Sequence, residues 1–311
     1  MKQAFRIAAA IAVCALASAS AHAEWTIDCS AGQSLQNAVL NAPPNSSIFV
    51  KGVCSGPITI TTDGLRIVAD LGAQINGKGK DAVTVDGAQR VVLKGLLITG
   101  GNNGVVVDRG GQATLQNDHI TGNALTGILV QAHSSATLGD GDDRQNGFDG
   151  IDVESTSALI INGTYSITQN GVFGIDINNG SSLTLTGAHL SVQQNTVGVQ
   201  LGTNASGFLD GQSSLDASAN FTVGLTMVSG SHMVDFGGAI LTNENGNNGL
   251  SLNSKAGLDL DAGAAVTSNG NAGDGVHLEQ LSVMTIFNNP LFSGSNATTL
   301  LVTRGNQGDG V

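Results

Sequence analysis

A glycine followed by apolar, variable and apolar residues recurs along this chain. It stands at Gly104, Gly127, Gly150, Gly174, Gly198, Gly224, Gly249 and Gly275, at intervals of 23, 23, 24, 24, 26, 25 and 26 residues. The next residue is Val105, Ile128, Ile151, Ile175, Val199, Leu225, Leu250 or Val276. Two places further on stand Val107, Val130, Val153, Ile177, Leu201, Met227, Leu252 and Leu278. Between them lie Val106, Leu129, Asp152, Asp176, Gln200, Thr226, Ser251 and His277, mostly polar. Alternation with period two predicts a strand with one face in a core. A second apolar segment follows each of these strands, as in Ala113-Thr114-Leu115 and Leu183-Thr184-Leu185, and a third comes later, as in His119-Ile120-Thr121. Three short strands in about 24 residues make a three-sided coil. One coil cannot bury its own apolar side, so coils stack in parallel at ~4.8 Å and share a continuous core. The predicted class is an all-β solenoid of about ten coils, each of 22–26 residues.

An Asn stands four residues before most of these glycines: Asn123, Asn146, Asn170, Asn220, Asn245 and Asn271, with Asn195 three before Gly198. At one turn position repeated from coil to coil, an Asn amide can stack on the next, and Asn tolerates the left-handed backbone of a tight corner. The two ends differ. Leu35, Ala38, Val39 and Ala42 fall on one helical face, ended by Pro43-Pro44, and predict a short capping helix. The expected division is therefore residues 24–46 as a cap and 47–311 as the solenoid. At the other end, Asn306 and Gly310-Val311 read as the start of another repeat, the expectation for a solenoid truncated from a longer one.

The repeat N-x-x-x-G-[VI]-x-[VI], from about Ser47 onward, resembles the right-handed parallel β-helix (pectate-lyase-like) superfamily. That superfamily includes pectate lyases, polygalacturonases, alginate epimerases and surface proteins. The resemblance implies the handedness of the coil and a polysaccharide or cell-surface component as partner. It implies no particular activity. Asn146 to Asp152 is faintly similar to the Asn-Thr-Asp strand motif of polygalacturonases. The following double Asp, the Gly-His-Gly and the Arg-x-Lys of that family are missing, so its catalytic roles do not carry over.

Residues 1–23 read as an export leader: Lys2 and Arg6, an apolar run from Ile7 to Leu16, then Ala21-His22-Ala23 as the cleavage signal. The run is too short to span a membrane. The expected location is therefore the periplasm or the exterior of a bacterial cell. Cleavage after Ala23 takes the formal charge from −12 to −14 and leaves two cysteines, Cys29 and Cys54, which an oxidising compartment joins. So acidic a balance argues against a nucleic-acid partner, whose phosphates need Lys and Arg to neutralise them.

The candidate chemistry lies between Gly139 and Glu154. Asp152 and Asp176 take the outward strand position in consecutive coils, about one inter-strand spacing apart. Two such carboxyl groups repel, which raises a pKa or recruits a cation, and the spacing is near the ~5–5.5 Å of a retaining glycosidase pair. Asp149, Asp152 and Asp176 are the candidate catalytic residues. Gly139 to Asp143 reads first as a flexible acidic turn, and no cofactor is predicted; Asp140, Asp142 and Asp143 are the candidate ligands should the cluster hold calcium. Phe148 and Phe173 could form a small sugar platform beside them. No Lys or Arg lies between Arg144 and Lys255, which argues against a lyase acting on acidic polysaccharides. The sequence therefore favours an exported, noncatalytic scaffold or surface and glycan interaction module. Its alternatives are a polysaccharide-active enzyme using the stacked acids and a segment of a larger adhesin.

Overall fold

A computed structural model describes residues 24–70, 72–287 and 298–311; the leader inferred for residues 1–23 lies outside these. The described chain winds into a parallel solenoid of about eleven turns, one more than the repeat count suggests. Its strands form three sheets, of twelve, ten and eleven strands. Each sheet is one side of the coil, and the pairing is parallel throughout.

The anchor strands make the ten-stranded sheet. Ile151 pairs in register with Ile175, and Ile175 with Val199, and all three are completely buried. The second segments make the twelve-stranded sheet, where Ala136, Leu159 and Leu183 form another buried column. The third segments make the eleven-stranded sheet. Its inner column runs Ile98, Ile120, Asp143, Ile167 and Val192, so one carboxyl interrupts a line of aliphatic residues.

The repeat motif has a steric cause at the corner between the third and first sides. Asn146 donates from both its backbone N–H and its Nδ2 to Oδ1 of Asn170, each at 3.0 Å. The same pairing links Asn123 to Asn146 and continues through Asn195, Asn220, Asn245 and Asn271 to Asn306. Asn195 joins the ladder although its turn is one residue shorter. The ladder pairs backbone donors that a buried corner would otherwise leave without partners.

The N-terminal end is closed by three devices. Helix Leu35–Asn41 is capped by Ser34, whose Oγ accepts from the Asn37 N–H, and it buries Leu35, Ala38 and Val39. Ala42, just beyond, is buried as well. Gln36 lies over the edge strand Ile58–Ile60, where its amide accepts from the Thr59 N–H (2.7 Å) and donates to the Thr59 carbonyl (3.3 Å). Those groups would otherwise be an open edge. A disulfide joins Cys29 to Cys54, tying the cap to the first coil. The strand Glu24–Asp28, pairing with Ser47–Lys51, was not evident in the sequence. Its five residues are too few for a periodic signal, and it is held by Trp25 and Ile27 packing against the core.

Candidate functional site: an acidic column on the outer face

Strand Ile151–Val153 turns Ile151 and Val153 inward, so Asp152 must point outward. Parallel pairing in register then sets Asp152 beside Asp176. Asp149 approaches from the turn and Glu154 from the far end of the same strand.

The four carboxyl groups have different surroundings. Asp149 is 2% exposed and accepts a hydrogen bond from the Phe173 N–H at 3.0 Å. Burial pushes its carboxyl up to about 6; the hydrogen bond opposes this and the charge of Asp176 adds to it. Asp176 is 8% exposed, and its Oδ1 accepts from Nε2 of Gln200 at 3.0 Å. Burial raises its pKa, while the Gln200 and Asn178 side chains favour its charged form. Among the described residues, the Asp152 side chain has no hydrogen-bond partner. Burial pushes it up to about 7, and the charges of Asp176, Asp149 and Glu154 act in the same direction. Asp152 thus holds its proton to near neutrality, while Asp176, whose pKa is raised too, accepts a hydrogen bond from Gln200 that favours its anion. Unequal environments of this kind can separate an acid from a base. The ring of Phe148 is 50% exposed next to Asp149, and Phe173 is half-buried.

Asp140, Asp142 and Asp143, the candidate calcium ligands, stand in three different settings. Gly141–Arg144 is a strand, so Asp142 and Asp143 point to opposite sides of a sheet. Asp142 faces outward and pairs with Nδ1 of His119 and Nε of Arg144. Asp143 is 0% exposed inside the solenoid, where its Oδ1 accepts from Nδ2 of Asn146 at 2.7 Å and burial raises its pKa well above the ordinary value. Asp140 accepts from the Thr164 N–H at 2.8 Å. No group of three or more His, Cys, Asp or Glu is placed to hold a metal ion among the described residues.

A second charged group lies further along the same face. Nδ1 of His277 lies 2.6 Å from Oδ2 of Asp274, and its Nε2 lies 2.8 Å from Oε1 of Glu279. These residues repeat the frame of the first cluster. Asp149-Gly150-Ile151-Asp152-Val153-Glu154 and Asp274-Gly275-Val276-His277-Leu278-Glu279 share Asp-Gly-apolar-x-apolar-Glu. The aligned pair of hexapeptides was the sequence signal for it. A hollow of about 600 Å³ lies at another corner and is lined in part by Asn204, Ser254 and Lys255; none of the four acids lines it.

Fold and site together define a parallel β-helix that carries a column of protonatable acids on its ten-stranded side. Residues 33–220 match the family described as right handed beta helix region, and the chain belongs to that family. Among solved structures, it is similar to pectate lyase Pel9A, with a TM-score of 0.59 and 14% identity, covering 86% of this chain and 77% of that one. It is similar also to an alginate lyase from Paenibacillus sp. str. FPU-7, with a TM-score of 0.58 and 14% identity over 83% of this chain and 97% of that one. The periplasmic alginate epimerase AlgG gives a TM-score of 0.51 and 13% identity over 84% of this chain and 83% of that one. At such identities these likenesses show the fold alone. No curated protein matches the chain.

Proposed function

We propose that the protein is an exported polysaccharide-active enzyme that hydrolyses a neutral glycan with Asp152 and Asp176. The observation that carries this reading is Asp152 itself: a half-buried carboxyl with no hydrogen bond, in register with a second carboxyl and flanked by two more. Like charges opposite each other on neighbouring strands destabilise a sheet. A scaffold gains nothing from stacking them, whereas an acid-base site needs them. In the proposed step, Asp152 gives its proton to the glycosidic oxygen as that bond breaks. The Asp176 carboxylate attacks the anomeric carbon, and water then releases the sugar, with Asp152 taking back the proton. Phe148 offers an apolar face to a sugar ring. The cation-free stretch between Arg144 and Lys255 favours a neutral substrate over a uronate. The pectate lyase, alginate lyase and alginate epimerase of similar fold support a polysaccharide as the partner class. In this reading residues 1–23 are a cleaved leader, 24–46 a cap and 47–311 the solenoid, and the disulfide supports an oxidising compartment.

A noncatalytic, glycan-binding scaffold is the competing reading, favoured by the position of the 600 Å³ hollow away from the acids. The deciding experiment incubates the protein with a panel of neutral and acidic polysaccharides and measures new reducing ends and unsaturated products. Reducing ends from a neutral glycan, lost by at least about 100-fold in Asp152→Asn, are expected. Unsaturated products would overturn the hydrolase assignment, and no turnover on any glycan would return the protein to the scaffold class.

A further inference from the structure

Three glutamines form an exposed amide ladder at the corner that also carries the asparagines. Gln145, Gln169 and Gln194 each stand one residue before Asn146, Asn170 and Asn195. Nε2 of Gln145 donates to Oε1 of Gln169, and Nε2 of Gln169 to Oε1 of Gln194, each at 3.1 Å. The ladder stops there, because Ala219 and then Glu244 take the same place in the next two coils. Beside its end stands Phe221, which is 69% exposed, more than any other Phe among the described residues. The turn that holds it is tied to the coil before. The Phe221 N–H donates to the Asn195 carbonyl at 2.9 Å, and the Thr222 hydroxyl donates to the Thr196 carbonyl at 2.6 Å. Gly246 takes the equivalent place in the following coil, so no side chain from that position covers the ring. Gln169, Asn170, Gly171, Gln194, Thr196 and Phe221 line a hollow of about 450 Å³. It lies at the turns that lead into the strands of Asp176 and Gln200.

We infer that this hollow binds one uncharged sugar ring of a glycan, with Phe221 as its stacking wall and the glutamine amides as its hydroxyl-binding edge. The site deepens the proposed function: it rests on the partner being a neutral glycan and not on hydrolysis. Stacking of the amides accounts for Gln145 and Gln169 as structural residues, but it leaves the uncovered ring at the end of the ladder without a role. The apolar face of a pyranose packs on such a ring, and a ring on a fixed turn loses little freedom when it binds. An amide has two N–H donors and two acceptor lone pairs. Gln194 accepts from Gln169, while its own Nε2 donates to no described residue and stands at the open end beside Phe221. A held amide of this kind offers a donor and an acceptor to adjacent sugar hydroxyls at a small cost in side-chain entropy. Thr196 gives its hydroxyl proton to the Gly171 carbonyl (2.8 Å), which leaves its oxygen as a further acceptor. None of the six lining residues is charged, in a chain of formal charge −12. An acidic sugar would find no cation here and would be repelled by Glu244 further along the column. The volume lies within the ~300–1,000 Å³ of small-molecule sites.

Calorimetric titration of the full chain tests it, with the hexasaccharides of cellulose, mannan, xylan and amylose as neutral probes and trigalacturonate as the acidic one. The titrations use Asp152→Asn, in which the proposed acid cannot turn a probe over. Saturable binding of at least one neutral hexasaccharide is expected, insensitive to added salt and weakened at least about tenfold when Phe221→Ala is added. Gln194→Ala should weaken it as well. Both side chains are on the surface, and unchanged thermal unfolding shows that a loss of affinity is local. The inference fails if no neutral probe binds, if trigalacturonate binds as tightly as they do, or if both added substitutions leave binding unchanged. Its failure and that of the hydrolase reading are separable. Binding that depends on Phe221, with no reducing ends released by the parent, keeps the site and removes the enzyme. Reducing ends lost in Asp152→Asn, with binding indifferent to Phe221 and Gln194, keep the enzyme and remove the site.

Discussion

A β-carbon placed on Gly150 would lie 2.7 Å from Nδ2 of Asn170 and 2.6 Å from Cγ2 of Ile167. The Asn of one coil thus occupies the space that only a glycine in the coil before it leaves open. The same close approach joins Gly127 to Asn146, Gly174 to Asn195 and Gly275 to Asn306. This coupling explains why Asn and Gly recur together. Asn170→Ala removes the acceptor of the buried Asn146 N–H, and a loss of about 1–3 kcal/mol is expected from that donor alone. Gly150→Ala should destabilise as well, by forcing the ladder apart. Urea unfolding at equilibrium measures both, and an Asn170→Ala loss under about 0.5 kcal/mol would show that the ladder contributes no more than an ordinary surface residue.

The buried acids give the protein an inverted pH profile. Burial pushes Asp118 and Asp235 up to about 7, as it does Asp152, and Asp149 up to about 6. An unfolded Asp titrates near ~3.9. Between roughly pH 4 and 7 the folded state therefore binds more protons than the unfolded one, and stability falls as pH rises through that window. Melting temperatures measured from pH 4 to pH 8 should decline. Asp152→Asn, neutral throughout, should melt higher than the parent at pH 8 and close to it at pH 4. A parent that gains stability steadily up to pH 8 would contradict this account.

His277 should titrate as a clamped cation. Its pKa is raised, first by the hydrogen bond to Glu279, then by that to Asp274, against a smaller effect of burial. The folded value lies above the unfolded one, so the clamp stabilises below the ordinary histidine pKa of ~6.5 and that contribution is lost as pH rises through the folded value. An NMR titration of the ring should give a midpoint above the ordinary one. Glu279→Gln should bring it down, and an unshifted midpoint in the parent would refute the clamp.

Removal of the Cys29–Cys54 disulfide should loosen the cap. The bond spans 25 residues in sequence, for which chain entropy gives about 3 kcal/mol. Cys29→Ser with Cys54→Ser should unfold at correspondingly lower denaturant. Gln36→Ala should cost less, about 1–2 kcal/mol, from the two unpaired Thr59 groups. Hydrogen exchange at the Thr59 amide is the direct measure, with faster exchange expected in the variant.

The coil could be derived from the chain alone, because its cause is local and repeated. Each Gly-apolar-x-apolar strand carries the same in-and-out instruction, and about 24 residues later the next coil carries it again. Interior columns such as Ile151, Ile175 and Val199, the cap around Leu35 and Val39, and the outward placement of Asp152 and Asp176 follow from that period. What the tertiary structure alone decided is the environment of each side chain. Strand alternation sends Asp142 outward and Asp143 inward, yet from the sequence the stretch reads as an acidic turn. The hydrogen bonds from Gln200 and Phe173 that distinguish Asp176 and Asp149 from the unpartnered Asp152 come from neighbouring coils. Period and alternation set which way a residue points; protonation and partnership depend on what the next coil places against it, and that is a property of the folded stack.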